Sequence, residues 1–226
     1  VGGPFAGMRY PMLKSVGSAL YPKILGTYES ELHETVYHVL RNEYDQIIDV
    51  GCAEGYYAVG FAILKPTTPV IAFDTSAVAR ELCSGMVHCN CADRQDIEIH
   101  SFSSPEELSL LCQKKRCLLI SDCEGYEEQL FVEQYQDCYR FTDLLIEMHQ
   151  PIGSAVDLTI EKCFRSTHTV SRISAWAKEQ KAIRFRESLN DCMLSDRIIC
   201  SLVDEGRPPG MFWIIALANN PGTCNS

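Results

Sequence analysis

Short apolar runs alternate with amphipathic segments along most of the chain. The apolar runs are rich in β-favouring residues and have the length of buried strands. They are Gln46–Val50, Val70–Phe73, Ile97–Phe102, Cys117–Ser121, Asp143–Met148, His168–Ile173 and Met211–Ala218. The segments between them have helical spacing, and they are Tyr56–Leu64, Ala77–His88, Pro105–Gln113, Tyr126–Tyr135 and Ser154–Phe164. This alternation predicts an α/β fold, a mostly parallel sheet with helices on both faces.

The two ends of the chain are less regular. Near the N-terminus, an apolar face that includes Leu32 and Val36 predicts a helix that starts at Gly26-Thr27. Later, Ala175–Lys181 reads as a helix, and Arg207-Pro208-Pro209-Gly210 predicts a turn before the last strand. We therefore predict a single domain in four parts: an N-terminal helical cap (1–45), a core (46–173), an insertion of unknown shape (174–209), and the last strand with a tail (210–226).

Length and composition fit this interpretation. A chain of 226 residues suits one α/β domain, and 46% hydrophobic with 22% charged residues excludes a disordered chain. The formal net charge of −10 repels phosphate backbones, so we expect no nucleic-acid partner. The longest wholly apolar run, Met211–Ala218, is far shorter than the ~20 residues of a membrane span, so we expect no membrane partner.

The chain has 12 cysteines at irregular spacings. No CxxC pair occurs, and the tightest cluster is His88-Cys89-Asn90-Cys91. Val1 to Tyr10 do not read as a secretory leader, although a leader removed earlier stays open. We therefore expect free, partly buried thiols in a cytoplasmic protein, with a metal site at the cluster as the less favoured alternative.

The most informative local pattern joins the first predicted strand to the helix after it. The strand Ile47–Val50 contains Asp49 and is followed by a turn of small residues that includes Gly51 and Gly55. Glycine at such a turn lets the backbone approach a ligand closely, and the next helix offers free N–H groups. The second strand is followed by Asp74, an acid that could accept both hydroxyls of a ribose.

This order of elements predicts a nucleoside-containing cofactor, and a purely structural βαβ unit is the alternative. Ala53 stands at the second glycine position of GxGxxG, and the third glycine is also missing from its position. A cofactor without a pyrophosphate therefore fits better than a dinucleotide.

Three sequence blocks resemble the FkbM-type family of class I S-adenosylmethionine-dependent methyltransferases. Asp49-Val50-Gly51-Cys52-Ala53-Glu54-Gly55-Tyr56-Tyr57 is similar to motif I, which reads roughly D-V-G-A-N-x-G-Y in that family. Leu118 to Glu127 is similar to the family's K-I-D-V-E-G-x-E block, and Leu144 to His149 to its I-x-E-x-H segment. The blocks span 46–149. Cys52 and Ser121 depart from the family pattern, where alanine and lysine are common, and leave the substrate open.

The resemblance implies a seven-stranded Rossmann-like sheet whose last strand is antiparallel, and S-adenosylmethionine as the cofactor. The methionine part would lie against the first turn, the ribose at Asp74 and the adenine near Ser101 and Phe102. The implied cofactor-binding residues are Asp49, Gly51, Cys52, Ala53, Gly55, Asp74, Ser101, Phe102 and Asp122.

Acidic residues and a histidine lie at the carboxyl ends of the fourth and fifth predicted strands. Because the carboxyl ends of parallel strands meet at one edge, we expect a cluster there: Asp122, Glu124, Glu127, Glu147 and His149. Methyl transfer needs in-line alignment and removal of a proton from the acceptor. His149 is the best candidate base, because its ordinary pKa lies near neutrality. Asp122, Glu124 and Glu147 are the further catalytic candidates, of which Asp122 and Glu124 could orient an acceptor hydroxyl or the cofactor's ammonium group.

Alternatives stay open for several of these residues. Glu124 could cap the helix predicted to begin near Tyr126, and His149 could be a structural histidine. Acids after two neighbouring strands could also hold a divalent metal, which we do not favour. Tyr28 and Glu29 could touch the ligand or simply begin a helix. Arg207 could face the acceptor, but a solvated loop charge is the preferred interpretation.

The sequence thus predicts an S-adenosylmethionine-dependent methyltransferase that acts on oxygen of a small-molecule or sugar-like acceptor. A nicotinamide-dependent oxidoreductase and a non-catalytic interaction domain that retains the fold are the alternatives. A homodimer is left open.

Overall fold

A computed structural model describes residues 2–102, 104–149, 152–188, 194–208 and 210–219. Within these residues seven strands form one sheet in the order β3-β2-β1-β4-β5-β7-β6. They are β1 (Gln46–Val50), β2 (Val70–Phe73), β3 (Ile97–His100), β4 (Cys117–Ser121), β5 (Asp143–Met148), β6 (His168–Ser174) and β7 (Phe212–Ala218). The first five strands pair in parallel, and β7 is antiparallel to β5 and to β6. The predicted fold class is confirmed.

Helices cover both faces of this sheet. In the described part of the chain they are α1 (Leu20–Leu25), α2 (His33–Val39), α3 (Tyr56–Leu64), α4 (Ala77–Cys91), α5 (Pro105–Cys112), α6 (Glu127–Leu130), α7 (Ala155–Phe164), α8 (Lys178–Ser188) and α9 (Asp196–Val203). Short 3₁₀ helices cover Gly3–Phe5, Ser30–Leu32 and Glu133–Tyr139. No described helix has the length and apolar character needed to cross a membrane.

Alternate strand residues enter two separate cores. Ile47 packs with residues of α2, α3 and α4 on one face of the sheet, and Ile48 packs with residues of α5 and α7 on the other. Both side chains are fully buried. A strand buried on both faces reads as a continuous apolar run, which is why β1 and β4 could be predicted to the residue.

The predicted bounds of β3 and α4 are wrong at their C-terminal ends. Strand β3 stops at His100, because the last residue of its only neighbour, Phe73, pairs with His100. Ser101 and Phe102 therefore leave the sheet and are exposed. Helix α4 continues three residues past His88, to Cys91, whose side chain is buried.

The helix predicted over Tyr126–Tyr135 is wrong. Helix α6 has only one turn, and the chain then bends at Phe131, whose φ and ψ are −103° and 71°. The bend buries Phe131 against the rings of Tyr139 and Phe164, at centroid distances of 5.9 and 6.0 Å. Burial of one large aromatic side chain has overridden the local helical pattern.

Two further helix predictions are shifted. Gly26 does not start a helix; it lies in the left-handed region (φ 78°) and ends α1, which sequence reasoning missed. The helix predicted over Ala175–Lys181 begins instead at Lys178, because β6 extends to Ser174 and pairs with Phe212. The predicted tail beyond residue 219 and parts of the predicted insertion lie outside the described residues. The four-part domain division stays a prediction.

Candidate active site

Two glycines shape the turn between β1 and α3. Gly51 has φ 82°, and a Cβ there would lie 1.7 Å from the carbonyl oxygen of Asp122. Gly55, the N-cap of α3, has φ 95°, and a Cβ there would lie 2.8 Å from the thiol of Cys83. Only glycine fits both the backbone angle and the space at these positions, so the ends of β1 and β4 can approach each other.

Asp74 connects the end of β2 to the same turn. Its two carboxylate oxygens accept the backbone N–H groups of Ala53 and Ser76, each at 2.8 Å. Ala53 has φ 48°, an unfavourable angle for a residue with a Cβ, and the bond to Asp74 stabilises it. A carboxylate oxygen has two lone pairs, so Asp74 keeps acceptor capacity for a ligand.

Asp49 is buried beneath the turn. It accepts the backbone N–H of Ala58 at 2.9 Å, in the first turn of α3, and only 2% of its surface is exposed. Burial raises the pKa of Asp49 to about 7. Its first role is therefore to satisfy a free helix N–H group, although it also borders the cavity described next.

A cavity of about 440 Å³ opens at the carboxyl edge of the sheet, beside the point between β1 and β4 where the strand order reverses. Open α/β sheets bind ligands at such a switch point. Most of the predicted cofactor residues line it: Asp49, Gly51, Cys52, Ala53, Asp74, Ser101, Phe102 and Asp122. Gly55 shapes the turn without lining the cavity.

The N-terminal segment closes one side of this cavity, and sequence reasoning missed most of it. Gly17, Ser18 and Lys23 line the cavity together with Tyr28, for which ligand contact and a helix start were both left open. Lys23 is 2% exposed and its Nζ lies 2.5 Å from Glu54 Oε1, in the glycine turn. The sequence around Gly17 has the composition of a loop, but composition does not indicate which part of the fold a loop packs against.

The structure brings the predicted acids together around His149. The Nδ1 atom of His149 lies 2.8 Å from Glu127 Oε1, and its Nε2 lies 3.4 Å from both Asp122 Oδ1 and Glu124 Oε2. Asp122 and Glu124 line the cavity, and His149 lies behind them. Burial opposes protonation, but the hydrogen bond to Glu127 and the charge of Asp122 outweigh it and raise the pKa of His149.

Glu147 lies deeper, where it hydrogen-bonds Asp122 and contacts Arg207. Burial, reinforced by the charge of Asp122, raises the pKa of Glu147 well above its usual range. Burial also raises the pKa of Asp122. Because two carboxyl groups this close oppose each other's ionisation, Glu147 holds its proton to higher pH than an isolated glutamate would.

Arg207 is not the solvated loop charge that the sequence suggested. Its side chain is 13% exposed and contacts three carboxylates, those of Glu29, Glu147 and Glu205. A buried guanidinium with several acids can be satisfied because it has five N–H donors in a planar fork. Arg207 thus joins the N-terminal cap, the end of β5 and the late insertion beside the acid cluster. Glu29, for which ligand contact and a helix start were both left open, contacts Arg207 and Tyr57 and precedes the 3₁₀ helix Ser30–Leu32.

The donor atoms of Asp122, Glu124 and His149 converge within 4.8 Å of one another. Oxygen and imidazole donors suit several divalent metals, and Asp122 Oδ1 is buried without a hydrogen-bond partner among the described residues. Two features favour an acid–base cluster instead. Glu124 is 75% exposed, and three carboxylates around His149 favour a proton on its ring.

Glu124 has no capping role. Helix α6 begins at Glu127 without a side-chain cap, and the Gly125 N–H bonds Glu127, not Glu124. Glu124 has φ 52°, so the backbone turns sharply and directs its side chain to the cavity rim.

The strand order and the antiparallel last strand define the Rossmann-like fold of class I methyltransferases. A solved structure with this fold is precorrin-6y C5,15-methyltransferase from Geobacter metallireducens GS-15, with a TM-score of 0.50 and 13% identity over 83% of this chain and 89% of that one. Magnesium protoporphyrin IX methyltransferase from Synechocystis PCC 6803, solved with bound S-adenosylmethionine, has a TM-score of 0.47 and 9% identity over 85% and 80% of the two chains. Spermidine synthase from Thermotoga maritima has a TM-score of 0.49 and 14% identity over 82% of this chain and 58% of that one.

No protein-family model and no curated protein sequence matches the chain. At these identities the likeness to solved structures establishes the fold alone. The FkbM-type resemblance therefore stays a prediction.

Proposed function

We propose that this protein is an S-adenosylmethionine-dependent methyltransferase. The observation that carries the proposal is the cavity at the switch point of the sheet, with the glycine turn, Asp74 and the Ser101–Phe102 edge along one wall. Each feature suits one part of the cofactor: close backbone approach for the amino-acid part, a carboxylate for the ribose hydroxyls and an exposed ring edge for the base.

The acceptor would enter next to Asp122 and Glu124, the acids at the rim of the same cavity. A concave site of about 440 Å³ and a net charge of −10 both favour a small, hydroxyl-bearing molecule over a nucleic acid. His149 would take the acceptor proton, while Asp122 and Glu124 orient the hydroxyl. We propose no requirement for a divalent metal.

Calorimetry with S-adenosylmethionine tests the first step without any acceptor. We expect the protein to bind the cofactor and Asp74→Ala to weaken binding by about 10- to 100-fold, because a hydrogen bond to a charged group contributes about 1.5–3 kcal/mol. The absence of binding by the folded wild-type protein would refute the proposal.

Ser76→Ala is the matched control. Ser76 lies two residues from Asp74 and caps α4 by accepting the Ala79 N–H at 3.3 Å, but it does not line the cavity. Its loss should lower stability by about 1 kcal/mol and leave cofactor affinity unchanged. Equal losses of affinity in both variants would mean that Asp74 acts only by holding the turn.

The same titration with a nicotinamide dinucleotide tests the oxidoreductase alternative. Ala53 replaces the second glycine of the dinucleotide fingerprint, so we expect no competition with S-adenosylmethionine. Binding of the dinucleotide in preference would favour that alternative.

A further inference from the structure

Glu127 is a charged residue that is buried beside His149. Its side chain is completely buried at the first position of α6, a helix of a single turn. A carboxylate out of contact with water is unfavourable unless it is paired and hydrogen-bonded. Two groups satisfy Glu127 Oε1: the backbone N–H of Gly125 at 3.1 Å and the His149 ring at 2.8 Å.

This pairing keeps Glu127 ionised. Burial alone would raise its pKa, but the hydrogen bonds from His149 and the backbone prevail and lower it. A carboxylate can only accept, and Glu127 lies closer to Nδ1, at 2.8 Å, than the two acids lie to Nε2, at 3.4 Å; Nδ1 therefore carries the hydrogen of the neutral ring. The other nitrogen, Nε2, is then directed towards Asp122 and Glu124 at the cavity rim.

We propose that Glu127 is a positioning residue for methyl transfer, holding His149 with Nδ1 protonated and Nε2 directed at the acceptor. The inference rests on the proposed function. In the step it serves, the acceptor oxygen attacks the methyl carbon of the sulfonium, and the carbon–sulfur bond breaks with its electron pair going to sulfur. The hydroxyl proton moves to Nε2, and Glu127 stabilises the imidazolium that forms.

Several charged groups act on this imidazole. Glu127 faces Nδ1 from α6, and Asp122 and Glu124 face Nε2 from the segment after β4. Glu147 and Arg207 lie behind Asp122 and set its charge. Because the net effect raises the pKa of His149, the base is unprotonated only at higher pH. The rate should therefore fall as pH drops through a value above 6.5, the ordinary histidine pKa.

The test uses ¹⁵N NMR of the histidine rings in the intact protein with S-adenosylhomocysteine bound, so it needs no acceptor. His149→Asn identifies the signal. At a pH above the pKa of His149, where the ring is neutral, we expect the wild-type protein to show the Nδ1–H tautomer. Glu127→Gln should lower the pKa of His149 by about 1 or more through loss of the adjacent negative charge. An Nε2–H tautomer in the wild-type protein would overturn the proposal even if the variant failed to fold.

Glu128→Gln is the control, because Glu128 is the next residue, carries the same charge and is exposed. It should leave the pKa of His149 unchanged within a few tenths. Equal shifts in both variants would mean that Glu127 acts only as a general negative charge, which contradicts a positioning role.

Once an acceptor is known, rates complete the test. Glu127→Gln should lower kcat by about 10- to 100-fold, at or below the lower end of the range for acid–base catalysis, because His149 itself is retained. It should also move the acidic limb of kcat/KM to lower pH. In a His149→Asn background the same change should cost little, because residues that act as a unit are not additive. Additive losses would show that Glu127 acts independently of His149.

Failure of this inference can be distinguished from failure of the proposed function. If the proposed function is wrong, calorimetry detects no S-adenosylmethionine binding, whatever tautomer His149 adopts.

Discussion

At the scale of single residues, Gly51 has the tightest steric requirement of the site. Its missing side chain lets β1 approach the Asp122 carbonyl, and any Cβ would overlap that backbone oxygen. A backbone atom cannot move aside as a flexible side chain can. The same atoms link the glycine turn to Asp122, so the geometry of both sides of the cavity depends on this contact.

Gly51→Ala should therefore be strongly destabilising. We expect a loss of about 2–4 kcal/mol in the free energy of unfolding, from overlap with backbone combined with a positive φ. Urea unfolding followed by circular dichroism would measure it. A loss below about 1 kcal/mol would mean that the turn can rearrange.

The control is Gly85→Ala, in the middle of α4. Its φ is not in the positive range, and the nearest atom to an added Cβ is a Pro11 carbon at 3.9 Å. Alanine is favoured over glycine in a helix by about 0.5–1 kcal/mol, so this substitution should stabilise the protein. Opposite signs for the two glycines would separate the steric effect from a general response to an added methyl group.

Individual residues were predictable where their surroundings are local in sequence. The positions of the Gly51 turn and of the acids at the ends of β4 and β5 could be predicted, because the apolar runs of these strands are continuous. Arg207 was not predictable, because its carboxylate partners come from positions 29, 147 and 205. Nothing near Arg207 in the sequence indicates that Glu29 and Glu147 meet there.

At the scale of elements, the N-terminal segment is joined to the core by a buried ion pair. Lys23 in α1 contacts Glu54 in the turn before α3, and both are at most 2% exposed. Hydroxyl groups of Ser15 and Tyr10 also donate to Glu54, at 3.0 and 3.2 Å. The N-terminal segment and the glycine turn, which both line the cavity, are thus bonded to each other.

Lys23→Met should destabilise the protein by about 3–5 kcal/mol, because it leaves the Glu54 carboxylate buried without its cation. Adding Glu54→Gln to that variant should recover much of the loss, since the uncompensated charge is then removed. Denaturant unfolding of the two single variants and the double variant measures the coupling.

A pair of the same residue types with a largely exposed carboxylate provides the comparison. Lys65 lies 3.2 Å from Glu43, whose side chain is 87% exposed. Lys65→Met should cost at most about 1 kcal/mol. If Lys23→Met cost as little, the ion pair would not be what fixes the N-terminal segment to the turn.

Elements with strong internal patterns were predicted well, and elements shaped by distant contacts were not. The apolar run of β4, and the apolar run of α3 that begins directly after its N-cap Gly55, determine their bounds locally. Helix α1 has only six residues, and its capping residue, Gly26, was read as a helix start. Such short helices depend on tertiary packing, which no window of sequence contains.

At the scale of the whole molecule, the cysteines distribute through both cores. Six of the described cysteines are buried and four are half-buried. They lie on strands, on helices and in the glycine turn. Cys192 and Cys224 lie outside the described residues. This scatter matches the sequence expectation of packing residues with free thiols, which stays a prediction until the thiols are counted.

Thiol titration under non-reducing conditions is the direct count. After denaturation we expect 12 free thiols per chain, which is every cysteine in the sequence. Among the described cysteines of the native protein, the half-buried Cys89, Cys138 and Cys200 should react first. Cys123 is also half-buried but should react more slowly, because burial raises its pKa to about 12. Burial raises the pKa of Cys112 and removes it from solvent, so this thiol should react only as the protein unfolds.

The same sample, reduced and freed of reductant before denaturation, is the control and should also give 12. A lower count only in the unreduced sample would reveal disulfides and place the protein in an oxidising compartment. Bound S-adenosylhomocysteine should slow the labelling of Cys123, which lines the cavity, and leave Cys138, which does not, unaffected. If the ligand left the labelling rate of Cys123 unchanged, S-adenosylhomocysteine would bind somewhere other than this cavity.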